Sequence, residues 1–445
     1  MKPNIIFIMA DDLGWADISC NGQRDYATPN IDRLAAEGIR FTQGYANSPV
    51  CSATRTALMT GRYQYRLAVG LEEPLSRGSP KDAGMPPDHP TMPSLLRDQG
   101  YSTTLVGKWH LGNRPDFSPL KSGYDSFFGV WGGFADYFNH GPGSISPLVE
   151  GGNPISRPGY ITDIIGSKAA EQIGDYGKKK TPFFMSLHFT APHWPWEGPD
   201  DEEISRRLSQ SKDYTDYFHY DGGSQKTYAK MVVRLDENIG RVLDAVKAGG
   251  LSENTIVVFT SDNGGERYAK TWPLTGMKTE LLEGGLRVPT LVRWPARVAA
   301  GQVSDQVVVT MDWLPTLLSA CGSAPDSSYT PDGDNLVPVM TGKMTPYSRK
   351  LFWRYKFAAQ RAVRDGDWKY LRIAGNEFLF NIVADPRERA NLKKKHSDVF
   401  ERLKSDFEAW NAAMLPESKT PIDRYNSATE LADHYGVSSD MRADT

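Results

Sequence analysis

Acidic and amide side chains follow two apolar runs of the sequence, at the point where each run ends. Asp11 and Asp12 follow the first run, and Asp262 and Asn263 follow a run that lies about 250 residues further on. Three carboxylates and one amide oxygen form an all-oxygen ligand set, which suits Ca²⁺ or Mg²⁺ better than Zn²⁺. A single Asp-Asp pair also occurs as a helix cap or a solvated turn. Two acidic pairs after two core strands predict a site for a hard divalent cation.

Cationic side chains follow other runs in the same way. Lys108 and His110 come just after an apolar run, His193 follows another, and Lys278 stands in a glycine-flanked loop. A single histidine is often a structural residue, and the surface is the usual place of a lysine. If the runs are neighbouring strands, these side chains place positive charge beside the predicted cation.

Apolar runs alternate with amphipathic segments through the first 340 residues. The pattern predicts strands over residues 4–10, 39–42, 103–106, 183–189 and 255–260, and helices over residues 28–38, 92–99, 162–173 and 226–247. Strands that alternate with helices indicate an α/β fold with a mostly parallel sheet between helices. Ligands of such sheets bind beyond the carboxyl ends of the strands, so we expect the candidate residues to converge there.

The sequence changes character after about Gly342. Short aromatic segments predict antiparallel strands over residues 350–355, 359–363, 368–373 and 377–381, and residues 395–410 predict one amphipathic helix. The tail beyond Pro416 has weak periodicity. We therefore expect a catalytic α/β domain over residues 1–340 and a smaller antiparallel-sheet domain with a tail over residues 341–445.

Charge and composition exclude several classes of protein. A formal net charge of −3 argues against a chain-wide attraction to nucleic acid. The cysteines Cys20, Cys51 and Cys321 are too few for a disulfide framework or a zinc site. The first apolar run is too short for a membrane span or a secretory signal, which predicts a cytoplasmic protein, or a periplasmic or secreted one if a signal peptide has been trimmed. The oligomeric state stays open.

Cys51 opens the run CSATRTALMTGR, which resembles the signature of the type I sulfatases. Ala53 stands where the common signature has proline, as in part of the family, notably among bacterial members. Further matches to the family are NIIFIMADDLG at the start, TPNID from Thr28, GKWHLG from Gly107, APH from Ala191, SDNG from Ser261 and the loop around Lys278. The resemblance implies an alkaline phosphatase-like α/β domain followed by a smaller domain with an antiparallel sheet. The general look is that of bacterial arylsulfatases and N-acetylgalactosamine-6-sulfatases.

The resemblance also implies a cofactor and a modified residue. In the family a maturation enzyme converts the signature cysteine to formylglycine, and one hydroxyl of the hydrated aldehyde attacks sulfur. One divalent cation, Ca²⁺ before Mg²⁺ or Mn²⁺, would be held by Asp11, Asp12, residue 51, Asp262 and Asn263.

The resemblance assigns roles to the remaining residues. Arg55 and Lys108 would hold the hydrate and the sulfate oxygens. Asp262 would accept the proton of the attacking hydroxyl, and His193 or Lys278 would protonate the leaving alcohol. His110 would deprotonate the second hydroxyl of the hydrate, which regenerates the aldehyde and expels sulfate.

The expected reaction is hydrolysis of sulfate monoesters to alcohol and inorganic sulfate. One alternative is a phosphonate monoester or phosphodiester hydrolase on the same scaffold, although those relatives usually have Asp-His where this chain has Asp262-Asn263. A second alternative is a non-catalytic binder of sulfated glycans, if Cys51 stays unmodified. A third is a conventional thiolate nucleophile at Cys51.

Substrate choice is expected to depend on the loops around the crevice. These loops cover residues 62–87, 130–158 and 194–223 and carry the aromatic and histidine residues Trp131, Tyr137, Phe138, His140, Trp194, Trp196, Tyr217, His219 and Tyr220. Such platforms suit either a sugar ring or an aryl group, and they also serve as ordinary packing of long loops. The sequence therefore leaves the sulfated substrate, small molecule or sugar, undecided.

Overall fold

The computed structural model describes residues 2–179, 181–325 and 328–420. The strands are β1 Asn4–Ala10, β2 Ile39–Tyr45, β3 Ser102–Lys108, β4 Ser126–Val130, β5 Val149–Glu150, β6 Asn153–Pro154, β7 Phe183–His188, β8 Thr255–Ser261, β9 Thr290–Arg293, β10 Gln302–Val309, β11 Lys350–Tyr355, β12 Gln360–Asp365, β13 Trp368–Ile373 and β14 Asn376–Asn381. The α-helices are α1 Pro29–Ala36, α2 Cys51–Thr60, α3 Met92–Asp98, α4 Ile161–Lys179, α5 Glu202–Ser209, α6 Gln225–Ala248, α7 Glu283–Leu286, α8 Trp313–Ala320, α9 Val337–Met340 and α10 Ser397–Ala412.

The large sheet has ten strands in the order β10-β2-β9-β8-β1-β7-β3-β4-β5-β6. Its centre is parallel: β1 pairs in parallel with β7 and with β8, and β3 pairs in parallel with β7 and with β4. Strand β9 and the short β5 and β6 pair antiparallel. The predicted α/β class with a mostly parallel sheet is confirmed.

Helices cover both faces of this sheet. Successive side chains of a strand point to opposite faces, so the apolar residues of one strand are buried in two different cores. Ile6 and Ile8 of β1 pack in a core with α1, α4 and α6. Ile5 and Phe7 pack in a second core with α2, α3 and α8. All four side chains are fully buried, which is why β1 reads as a continuous apolar run.

A four-stranded antiparallel sheet follows, in the order β11-β12-β13-β14. One face packs against α10, through residues such as Val363 and Phe407. The other face packs against the large domain, where Trp353 lies in one core with Ala53 and Ala57 of α2. The helix that begins at Cys51 therefore lies against the C-terminal sheet, and small residues on α2 allow the close approach.

Some elements differ from the sequence predictions. Helix α4 continues six residues past the predicted end, and β4, β10 and α8 were not predicted. The predicted C-terminal strands and helix are present with shifts of one or two residues. Part of the predicted tail, residues 421–445, lies outside the described residues, and the division at residue 340 stays a prediction. Among the helices of the described ranges, none is long and apolar enough to cross a bilayer.

Candidate active site

The predicted acidic residues meet at the carboxyl ends of two neighbouring strands. Asp11 and Asp12 follow β1, Asp262 and Asn263 follow β8, and all four side chains are fully buried. The Asp12 amide donates to Asp262 Oδ1 over 3.3 Å, and Asn263 Nδ2 donates to Asp12 Oδ1 over 2.7 Å. The convergence expected from the sequence is therefore present.

Three cations pair with the three carboxylates. Lys108 Nζ lies 2.6 Å from Asp11 Oδ2, and Lys278 Nζ lies 2.6 Å from Asp12 Oδ2. Arg55 Nη2 lies 2.9 Å from Asp262 Oδ2. We call these six residues the catalytic cluster. Its formal charges cancel, so an added divalent cation would make the site attractive to an anion.

The carboxylates differ in their preference for a proton. Burial, together with the neighbouring Asp262, raises the pKa of Asp11 well above its usual value. Burial opposes ionisation of Asp262 as well, but Arg55 and Lys108 outweigh it and lower its pKa. A cation beside Asp11 would remove much of the cost of its buried charge.

The donor set fits a hard divalent cation. Asp11 Oδ1 and Asn263 Oδ1 are buried and have no hydrogen-bond partner among the described residues, which is unusual for buried oxygens. A carboxylate oxygen of Asp11, a carboxylate oxygen of Asp262 and the Cys51 Sγ lie within 4.8 Å of one another, and the sulfur occupies the position of the side-chain atom that residue 51 would present to a cation. These residues, with Asp12, could hold a cation of the Ca²⁺ type through oxygen atoms.

Helix α2 places the signature residues. Cys51 is its first residue and Arg55 lies one turn further on, so both lie on the same side of the helix. Cys51 is almost fully buried, and it lies at the end of the helix where free backbone amides favour an anion. Burial raises the pKa of the Cys51 thiol, although Lys108 and Lys278 act in the opposite direction.

Two predicted histidines lie at the pocket in defined tautomers. His110 Nε2 lies 2.8 Å from the carbonyl of Leu75, which can only accept, so Nε2 carries the proton. His110 Nδ1 has no partner among the described residues and is free to accept. His193 Nδ1 lies 2.7 Å from the Trp194 carbonyl. Burial, aided by Lys108 or Lys278, lowers the pKa of both histidines well below its usual value.

The backbone is in the left-handed region at three points of the site. The φ angle is +63° at Asp12, +58° at His110 and +73° at Thr279, the residue after Lys278. Non-glycine residues seldom adopt this conformation, which costs about 1 kcal/mol or more and is concentrated at functional sites. The fold thus holds side chains from three separate loops in orientations that relaxed loops would not adopt.

The sequence analysis missed His188. It is the last residue of β7, it is buried, and its Nδ1 lies 3.3 Å from Arg55 Nη1 and 3.3 Å from the Lys108 carbonyl. Arg55 Nη1 also donates to the Lys108 carbonyl over 3.2 Å. His188 therefore helps to orient Arg55. The available signal was its place at a strand end beside the other candidates.

A pocket of about 120 Å³ opens above the cluster. Cys51, His110, His193 and Lys278 line it, and all four are buried. The predicted loops supply its rim, which includes Pro74, Leu75, Ser76, Arg77, Phe134, Trp194, Tyr214 and Phe218. Of the predicted aromatic and histidine residues, Trp194 lines this pocket, and Trp131 lines a neighbouring cavity. Tyr137 supports the site, because its hydroxyl donates to the His193 carbonyl over 2.8 Å.

Comparison with known proteins decides the family. The profile of the family described as Sulfatase matches residues 3–323. The chain belongs to the sulfatase family. A second profile, described as N-sulphoglucosamine sulphohydrolase, C-terminal, matches residues 277–413 of this sulfatase. The predicted resemblance is therefore confirmed, and the chain is a sulfuric ester hydrolase.

Individual relatives agree with this assignment. N-acetylgalactosamine-6-sulfatase of Mus musculus is 33% identical over 82% of this chain and 71% of the relative. Arylsulfatase J of Mus musculus is 29% identical over 95% of this chain and 78% of the relative. Among solved structures, Ps i-CgsB in complex with k-i-k-neocarrahexaose is 31% identical, with a TM-score of 0.82 over all of both chains. The phosphonate monoester hydrolase of Agrobacterium radiobacter, 21% identical with a TM-score of 0.65 over 92% of this chain and 96% of that one, shares the fold.

Proposed function

We propose that this sulfatase cleaves sulfate esters of carbohydrates, with residue 51 converted to formylglycine by a maturation enzyme and with Ca²⁺ as the resident cation. The observation that carries the proposal is the meeting of buried Cys51 with the catalytic cluster at the bottom of a narrow pocket. Asp11, Asp12, Asp262 and Asn263 would hold the cation together with residue 51. The hydrated aldehyde would supply the attacking hydroxyl.

The cations of the chain supply the charge that a sulfate ester requires. Lys278 lines the pocket, and Lys108 and Arg55 are buried directly below it, all positioned by ion pairs before substrate arrives. Fixed charges in a buried site stabilise developing negative charge without reorganisation. These three side chains would hold the sulfate oxygens and the group at residue 51.

Proton transfer follows from the protonation states at the site. Asp262 is ionised, because Arg55 and Lys108 outweigh its burial and lower its pKa, so its carboxylate would be available to accept the proton of the attacking hydroxyl. His110 Nδ1 is a free acceptor that would take the second proton. Of the two candidates for protonating the leaving alcohol, Lys278 is favoured, because nearby Asp12 helps to raise its pKa above the usual value while burial lowers that of His193.

Two relatives and the pocket rim favour a carbohydrate substrate. One relative is named for N-acetylgalactosamine 6-sulfate, and one similar structure contains a neocarrahexaose. The rim of the pocket carries the aromatic residues Phe134, Trp194, Tyr214 and Phe218, and aromatic faces stack well on sugar rings.

The phosphonate or phosphodiester alternative depends on one position. Asn263 is a neutral amide, and its Oδ1 suits a hard cation, whereas histidine there would favour a transition metal. We expect Asn263→His to shift the ratio of rates from 4-nitrophenyl sulfate towards phenyl phosphonate esters. An unchanged ratio would show that this position does not set the choice.

The test of the proposed function is sulfate release. Wild-type protein, coexpressed with a formylglycine-generating enzyme, should release sulfate from 4-nitrophenyl sulfate, and Cys51→Ala should reduce the rate by more than about 10⁴-fold with an unchanged melting temperature. Cys321→Ala, a matched change of a buried cysteine away from the pocket, should leave the rate unchanged. Full activity of Cys51→Ala would refute the proposal, and a converted residue 51 without turnover would favour the glycan-binding alternative. A thiolate nucleophile is disfavoured by the raised pKa of Cys51.

A further inference from the structure

A second cavity of about 300 Å³ lies beside the active-site pocket. The two share part of their lining, namely Asn113, Gly132, Ile145 and Ser146. The remaining lining of the second cavity consists of Trp131, Pro147, Val149, Gly152 and Pro154. The cavity therefore adjoins the pocket.

The chemistry of the two spaces differs. The pocket is lined by Lys278, Arg77 and two histidines. Among the described residues, the side chains that line the second cavity include none that ionise, and its polar groups are the side chains of Asn113 and Ser146 and the indole N–H of Trp131. An uncharged polar group fits such a lining, whereas a carboxylate or a second sulfate would lose its hydration without gaining a cation.

Trp131 connects the second cavity to the catalytic residues. It directly follows β4, its ring packs on the core of the large domain, and it is half-buried. Its carbonyl accepts the His110 amide over 3.1 Å. Because this hydrogen bond joins the segment after β4 to the segment after β3, a group placed against Trp131 lies at a fixed distance from His110.

We propose that this second cavity binds the sugar unit next to the sulfated unit, and that this neighbouring sugar is uncharged. The inference rests on the proposed function. The pocket is small for a whole substrate, since sites for small molecules usually span about 300–1,000 Å³, whereas pocket and cavity together suit two linked sugars. Trp131 serves as the stacking platform, and Asn113 and Ser146 bind sugar hydroxyls.

The first experiment separates the two spaces with two substrates. 4-Nitrophenyl sulfate occupies the pocket alone, and tetrasaccharides of κ-carrageenan and of chondroitin 6-sulfate reach the second cavity. Trp131→Ala should lower kcat/KM for a cleaved tetrasaccharide by about tenfold or more and leave that for 4-nitrophenyl sulfate within about twofold. Trp272→Ala, at an exposed tryptophan outside both spaces, is the matched control and should change neither value.

A second variant tests the same proposal in case Trp131→Ala does not fold. Pro154 is exposed at the rim of the second cavity, so Pro154→Trp should fill the cavity without disturbing the core. It should show the same selective loss. An equal loss on both substrates in the two variants, or no loss on either, would overturn the proposal.

The charge of the neighbouring sugar is tested with matched substrates. Chondroitin 6-sulfate tetrasaccharide is compared with its carboxyl-reduced form, in which the uronic acids have become neutral. Cleavage of the κ-carrageenan tetrasaccharide alone, or faster cleavage of the reduced chondroitin, would support an uncharged neighbour. Faster cleavage of native chondroitin would overturn it. If 4-nitrophenyl sulfate is cleaved and no tetrasaccharide is, the sulfatase function stands and the subsite is wrong; if nothing is cleaved although residue 51 is converted, the proposed function itself fails.

Discussion

Two clusters of buried charges in this protein have similar composition and different surroundings. The catalytic cluster pairs three carboxylates with three cations. The second, which we call the intersheet cluster, consists of Glu283, Lys369, Glu388 and Arg364 and joins the large domain to the C-terminal sheet. Lys369 Nζ lies 2.9 Å from Glu283 Oε1 and 2.8 Å from Glu388 Oε1. Both clusters would look alike in a list of buried charges.

The two clusters differ in whether every carboxylate oxygen has a close partner and in whether the cluster is in contact with a pocket. In the catalytic cluster, Asp11 Oδ1 has no hydrogen-bond partner among the described residues, the Arg55 guanidinium lies 4.0 Å from it, and the cluster borders a pocket through Lys278. In the intersheet cluster both oxygens of Glu283 are engaged, by Lys369 and by the Tyr45 hydroxyl. Glu388 Oε1 accepts no hydrogen bond among the described residues, but Lys369 Nζ lies only 2.8 Å away and balances its charge. None of the cluster's members lines either cavity. Burial opposes ionisation of Glu283, but Lys369 outweighs it and lowers the pKa to about 2. Buried charge alone therefore indicates structure, and an open, incompletely satisfied cluster indicates chemistry.

The same substitution in both clusters gives the largest expected contrast. Lys108→Met should lower kcat/KM on 4-nitrophenyl sulfate by about 10³-fold, because it removes a fixed cation from the site. Lys369→Met should keep kcat/KM per folded molecule within about twofold and reduce the free energy of unfolding by roughly 3–5 kcal/mol, because two glutamates lose their partner. Steady-state kinetics and urea unfolding of both variants measure this. Equal kinetic losses would show that the two clusters do not differ as described.

Metal binding should distinguish the clusters next. After chelation, added Ca²⁺ should raise the melting temperature of the wild type, since a ligand at 100 times its Kd stabilises by about 2.7 kcal/mol. Asp11→Asn should abolish this rise and lower kcat/KM by roughly 100-fold, whereas Glu283→Gln should keep the rise. A Ca²⁺-dependent rise in Asp11→Asn equal to that of the wild type would place the cation elsewhere.

Substitutions of His188 test whether a residue that contacts Arg55, but is not itself a member of the catalytic cluster, contributes to the rate. His188→Leu removes the ring nitrogen that lies 3.3 Å from both Arg55 Nη1 and the Lys108 carbonyl, and it should lower kcat about tenfold with a smaller change in KM, since hydrogen bonds to charged groups contribute about 1.5–3 kcal/mol. His188→Gln, whose amide can accept from Arg55 or donate to the Lys108 carbonyl, should recover most of the rate. His396→Leu in the C-terminal domain serves as control. No recovery with glutamine would indicate that packing, and not the hydrogen bond, matters.

Glu73 extends the comparison to a buried carboxylate that has no ion pair among the described residues. Burial raises its pKa to about 8, although the Lys356 amide donates to its Oε2. The folded state therefore holds this proton more tightly than the unfolded state, and the associated stability, complete below about pH 4.5, is lost as the pH rises to about 8. Glu73→Gln should thus raise the melting temperature at pH 9 by roughly 3 °C more than at pH 5. Parallel pH profiles of wild type and variant would contradict this.

The sequence predicted most of the fold because β1, β7 and β8 are buried on both faces and read as apolar runs. Strand β10 escaped notice because its first half is partly exposed and polar, and α8 because it is buried nearly all round and lacks an amphipathic pattern. The ten candidate site residues could be named from strand ends, from the glycine-flanked loop around Lys278 and from the family signature. The sequence could not predict which cation pairs with which carboxylate, because those ion pairs join residues that are about 100 to 270 positions apart. The compartment stays a prediction from the sequence.

The measurement that tests the central claim most directly is the mass of the peptide that contains residue 51, taken from protein with measured sulfatase activity. We expect a loss of about 18 Da relative to cysteine, because the thiol-bearing carbon becomes an aldehyde, in a fraction of the peptide that rises in proportion to the specific activity. Full specific activity in a preparation whose residue 51 has the mass of unmodified cysteine would contradict it.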